Sequence, residues 1–141
     1  MNDPMTAIDQ AAERPEVGRW TLALVWYLRL IAGIAMVKGL YHWSAVIGIG
    51  DHGAGAFETA GTAWQAATIF FAVIDLVAAV GLWLAAAWGG VVWLTAAISM
   101  AAVALFFPQI YGASVVIILG ELIAISLYVG LAVMAARERP E

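Results

Sequence analysis

The chain has 141 residues, of which 65% are hydrophobic and 11% charged, with a net charge of −4 and a mean hydropathy of +0.95. Soluble domains are about a quarter charged, and so small a chain could not hide this much apolar surface from water; the composition excludes an ordinary soluble domain and points to an integral membrane protein. With no cysteine, disulfides, thiol chemistry, iron–sulfur clusters and Cys-ligated zinc are excluded, and the acidic balance lacks the basic stripe of a nucleic-acid binder.

Residues 1–19 are polar, hold Pro4 and Pro15, and read as a mobile tail or a short surface helix. Met1-Asn2-Asp3-Pro4 carries no positive region, so a cleaved signal peptide is not expected. The membrane portion, residues 20–136, divides into four spans. The first runs from about Trp20 to Ile47, followed by a glycine-rich acidic loop. The second runs from about Trp64 to Trp88. From Leu76 to Gly120 there is no Asp, Glu, Lys or Arg; unbroken, that stretch would make a helix of about 68 Å against a hydrocarbon core of ~30 Å. Gly89-Gly90 is the expected break. The third span covers about Val91 to Phe107, closed by Pro108, and the fourth about Ser114 to Ala136, leaving residues 137–141 as a second tail. No barrel-length segment alternates with period two, so the fold class is all-α: a polytopic four-helix transmembrane bundle.

Four spans place both ends of the chain on one side. Arg14, Arg19, Arg137 and Arg139 lie at those ends and no Lys or Arg lies in the opposite loops, so the positive-inside pattern puts both termini in the cytoplasm, in the inner (cytoplasmic) membrane. Trp20, Trp43, Trp64, Trp88 and Trp93 fall near span ends, where an aromatic belt sits.

Four ionisable residues lie inside the spans: Arg29 and Lys38 in the first, Asp75 in the second and Glu121 in the fourth. Each costs about 2.5–3.5 kcal/mol at mid-bilayer on the insertion scale. Counted from the cytoplasmic ends at ~1.5 Å per residue, the depths match Arg29 with Asp75 and Lys38 with Glu121. The two bases lie about 180° apart around their helix. Either the first helix sits between the second and fourth, or one base snorkels to an interface. Asp75 and Glu121, with short stems, should face the bundle interior. His42 follows Lys38 by one turn and shares its face, so Lys38, His42 and Glu121 form a candidate pocket for a quinone head group or a proton.

Weaker patterns carry less. Gly48-Ile49-Gly50-Asp51-His52-Gly53 spells a dinucleotide fingerprint but follows a membrane helix and lacks a βαβ unit. Asp51, His52 and Glu58 have no fixed metal geometry, so no metal is expected. A haem is not expected either, since His52, the second histidine, lies in the loop. Small residues recur at four-residue spacing (Ala35/Gly39, Gly81/Ala85, Ala97/Ala101, Gly120/Ala124, Ser126/Gly130) and permit close helix approach. Thr95 and Ser99 are expected to bond their own backbone.

Leu28-Arg29-Leu30, Lys38-Gly39, the Asp75 to Leu84 stretch and Gly120-Glu121-Leu122 resemble the DoxX-like superfamily of small four-helix membrane proteins. Val80-Gly81-Leu82-Trp83-Leu84, Trp88-Gly89, Phe107-Pro108 and Leu127-Tyr128-Val129 also resemble related families of unknown function. The resemblance spans residues ~20–136. It implies the four-helix fold and places Arg29, Lys38, Asp75 and Glu121 at recurrent charged positions. It also implies, for some members, a membrane subunit of quinone-linked or stress-related redox enzymes. Here the second-span acid is Asp where Glu is usual, and no cysteine is present. The expected role is an accessory or anchoring subunit beside a larger membrane protein or a second copy. Alternatives are a quinone- or lipid-binding oxidoreductase component and a proton-coupled small-solute carrier. Catalytic residues are not assigned, and quinone is the one cofactor the pattern suggests.

Overall fold

The computed structural model describes residues 17–49, 55–112 and 115–138. It contains helices α1 (Arg19–Ile47), α2 (Ala56–Thr59), α3 (Thr62–Trp83), α4 (Ala87–Phe106), α5 (Pro108–Tyr111) and α6 (Val115–Arg137). No strand occurs among the described residues. Helices α1, α3, α4 and α6 are each long and apolar enough to cross a membrane. Around the bundle α1 touches α3 and α6, and α4 touches the same two. The first helix therefore does sit between the second and fourth spans.

Lipid tails are as apolar as leucine, so helices in a bilayer associate through close packing of small residues rather than through the hydrophobic effect. The α1–α3 seam follows that rule. Ala32, Ala35, Gly39, His42 and Ala45 are the buried face of α1, and Thr68, Ala72, Asp75, Ala78, Ala79 and Leu82 that of α3, both at three- and four-residue spacing. A methyl group on Gly39 would lie 2.8 Å from the Leu76 side chain, so the two backbones approach as closely as glycine allows. The helices run antiparallel with His42 beside Phe71, Lys38 beside Asp75 and Arg29 beside Trp83.

The break between the second and third spans falls at residues 84–86, not at Gly89-Gly90. Ala85 adopts φ 51°, a left-handed conformation that alanine enters at a cost, and so no glycine or proline marks the turn. Both glycines sit inside α4, where Gly89 lies against Gly81: a methyl group on Gly89 would come within 2.2 Å of the Gly81 carbonyl carbon. Their smallness serves packing instead of chain reversal. Trp93 likewise is no belt residue. At 4% exposure it fills the core with Ile31, Ala32, Ala78 and Leu82, edge-on to Tyr128. Thr95 bonds the Val91 carbonyl at 2.9 Å, as expected.

At the loop end, Gly48 closes α1 at φ 70°, and the Ile49 N–H returns to the Ser44 carbonyl at 2.9 Å, a Schellman-type stop. Residues 1–16, the Gly50–Ala54 stretch of the loop and residues 139–141 lie outside the described residues. With them go most of the expected polar tail, the GxGxxG sequence, and Asp51 and His52. At the opposite end, the Glu138 carboxylate accepts hydrogen bonds from the Trp20 and Thr21 N–H groups at 3.0–3.1 Å. These are orphan donors of the first turn of α1, where a negative charge also meets the positive end of the helix dipole. The two ends of the membrane domain thus meet on one side.

Candidate functional site

Lys38, about two-thirds of the way along α1, gathers the two acids of the spans. Its Nζ donates to Glu121 Oε1 on α6 at 2.9 Å and lies 3.8 Å from Asp75 Oδ1 on α3. Asp75 is 1% exposed, and neither of its oxygens has a hydrogen bond among the described residues. One base thus stands between two carboxyls, firmly bonded to one and only near the other.

The sequence-based pairing of Lys38 with Glu121 matches this geometry, while the pairing of Arg29 with Asp75 does not. Arg29 lies on the outside of the bundle, its guanidinium 5.5 Å from the Trp26 ring and 5.8 Å from the Trp83 ring. The depth count fails because α1, at 29 residues, is about 43 Å long and overhangs a ~30 Å core. Its first turns extend past the end of α3, so Arg29 is level with Trp83, the last residue of that helix. Asp75 lies eight residues further along α3, about 12 Å away, level with Lys38.

His42 does not join the Lys38–Glu121 pocket. It is buried among rings, stacked on Phe71 and tilted against Tyr111, each at 5.7 Å. Phe71 lies one turn above Asp75 on α3, and Thr68 of the next turn shares a 3.1 Å hydrogen bond with the Tyr111 hydroxyl. This aromatic layer closes the bundle on the loop side of Asp75. Burial raises the Tyr111 hydroxyl above its ordinary value, the Thr68 hydrogen bond opposes the rise, and the Asp75 carboxylate adds to it. Tyr111 was missed at the sequence level because it follows Pro108 in a connection. Tyr27 was missed too: its hydroxyl donates to the Ala124 carbonyl and ties α1 to α6 about three turns from Lys38. A tyrosine in an apolar run gives no sign of which backbone it will meet.

The cleft beside the triad lies between α1, α4 and α6. About 430 Å³ in volume, it is walled by apolar side chains including Ile31, Trp93, Met100 and Ile117, with Lys38 and Glu121 as its charged wall residues. Among the described residues no three His, Asp or Glu side chains converge as metal ligands.

Fold and site together define a small four-span helical membrane protein with an acid–base triad held between its helices. The chain belongs to a family of unknown function (DUF6163), whose model matches residues 22–139. No curated protein and no solved structure matches it.

Proposed function

We propose that this protein is a small subunit of the cytoplasmic membrane whose Lys38–Glu121 pair receives the polar head of a membrane-soluble amphiphile of the quinone class. The tail would lie along the cleft between α1, α4 and α6. The observation that carries this reading is the 2.9 Å ion pair set in the wall of an otherwise apolar cleft. Ligand sites are typically apolar concavities with a few convergent polar groups that fix orientation. A quinone carbonyl accepts from an ammonium, and a quinol hydroxyl donates to a carboxylate. Two acids against one base leave no surplus positive charge for a phosphate head, which favours a neutral ligand over an anionic lipid.

No residue in the most apolar stretch of α6 is fully buried within the chain. This open face supports an accessory role beside a larger membrane partner, in line with the DoxX-like resemblance and its redox-linked members. The arginines flanking the membrane domain support cytoplasmic termini.

The test uses purified full-length protein in mild detergent and a decyl-tailed benzoquinone, reduced to the quinol for the affinity measurement. Quinone should be recovered by solvent extraction and mass spectrometry, and Glu121→Gln should weaken quinol binding about ten- to a hundred-fold, the loss of one charge-assisted hydrogen bond worth about 1.5–3 kcal/mol. Unchanged affinity in Glu121→Gln would overturn the site. A chain that always purifies without other proteins would overturn the accessory role.

A further inference from the structure

A second feature lies on the other side of α1, away from the triad. Arg29 is a cation on the outward face, and every other described acid is engaged elsewhere or distant from it. Asp75 and Glu121 face Lys38, Glu138 caps the start of α1, and Glu58 lies at the opposite end of the bundle. Around Arg29 stand the rings of Trp26 and Trp83, 62% and 60% exposed, each within cation–π reach. Trp83 is also the near wall of a groove of about 460 Å³ between α1 and α3, lined by Ala32, Gly33, Met36, Ala79, Val80 and Leu84. The floor is small-residue backbone, and a methyl group added at Gly33 would meet nothing within 4 Å.

The groove has a direction. Gly33 is one turn and Met36 two turns beyond Arg29, so it runs about 10 Å from the arginine toward the bilayer midplane. Ala79 and Val80 track it on α3 in the antiparallel sense. At its mouth stand a charged fork suited to a phosphate and two indoles of the kind that settle at head-group level. This is the outline of one lipid molecule: an anionic head at the level of Trp83 and an acyl chain descending over Gly33. We propose that Arg29, Trp26 and Trp83, with the groove over Ala32, Gly33, Met36 and Ala79, form a binding site for an anionic phospholipid of the leaflet on the side of the chain ends. The lipid phosphate supplies the counter-charge that the described protein does not. The site is separate from the Lys38–Glu121 cleft, and the two stand or fall independently.

Native mass spectrometry of the full chain, released from micelles doped equally with palmitoyl-oleoyl phosphatidylglycerol and phosphatidylcholine, tests this. The wild type should retain phosphatidylglycerol about five-fold over phosphatidylcholine, the preference one basic residue supplies near an anionic head group. Arg29→Gln should retain both lipids equally. Gly33→Leu, which fills the groove where space is open, should lose both. Arg137→Gln, a control at the same end of the bundle, should keep the preference. Thermal unfolding of each variant confirms that it is folded. A preference that survives Arg29→Gln, or lipid retention undiminished in folded Gly33→Leu, overturns the assignment. So does a dimer that dissociates in Arg29→Gln, since the groove would then hold a second copy of the chain.

Discussion

The α1–α3 pair and the last helix, α6, are built from nearly the same alphabet and behave differently. In α3, 44% of the most apolar stretch is buried within the bundle; in α6 the share is 0%. The pair buries alanine and glycine on matching faces, so backbones approach and side chains interlock. On α6, Gly120 and Gly130 have no atom within 4 Å of where a methyl group would be, and Ala135 is the single buried residue among those described. Ala124, Ile125 and Tyr128 lean on the core around Trp93, and polar links add to that contact: Glu121 to Lys38, the Tyr27 hydroxyl to the Ala124 carbonyl, and Glu138 to the start of α1. Small residues at four-residue spacing mark where helices can approach, not where they do. What separates the two regions is whether a facing helix presents a matching seam.

The largest test of that contrast strikes the polar link. Lys38→Met removes the base from two acids at once and should destabilise the folded protein by about 3–5 kcal/mol, the cost of breaking one partner of a buried ion pair. Denaturant titration in detergent measures it, and a loss below 1 kcal/mol would show that α6 docks without the pair. Next comes the packed side. Gly89→Ala sets a methyl group against backbone that cannot rotate away, and should cost about 3 kcal/mol, the upper end of overpacking penalties. The same change on α6 should act oppositely: Gly120→Ala meets open space and should stabilise by roughly 0.5–1 kcal/mol through helix propensity. If both glycines responded alike, the contrast between seams would be wrong.

The smallest effect concerns Glu138. Burial raises its carboxyl, but the N–H groups of Trp20 and Thr21, the Thr21 hydroxyl and Arg19 outweigh burial and hold it below the ordinary value. A carboxyl depressed in the folded state contributes stability above its unfolded pKa and loses it as pH falls through the folded one. Acidifying through the carboxylate range should therefore lower the unfolding temperature slightly, and Glu138→Gln should flatten that segment of the pH profile.

Much of this architecture is readable from residues alone, for stated reasons. Four spans follow from apolar run lengths, and Lys38–Glu121 from their levels in the bilayer. The pairing of Arg29 with Asp75 fails because depth was counted from the start of α1, and sequence does not say that α1 overhangs its neighbours. The glycine pair reads as a break in sequence because glycine marks turns and tight contacts alike; only the position of Gly81 across the turn separates the two uses. Trp93 stands near a span end only if the span starts at Val91; with α4 beginning at Ala87 it lies about two turns in, at the core. His42 shares a helical face with Lys38, yet α3 offers it Phe71 while α6 offers Lys38 a carboxylate, and that partition needs three helices in place. Each miss comes from a quantity set by a neighbouring element rather than by the residue's own segment.

The carboxylate of Glu138 has a consequence for biogenesis. During synthesis, the opening turn of α1 leaves the ribosome with unsatisfied amide donors, and the group that will satisfy them is translated only after α6. The clasp therefore cannot fasten until these four spans have all been made. Closure of the bundle is in this sense a late event, timed by translation itself.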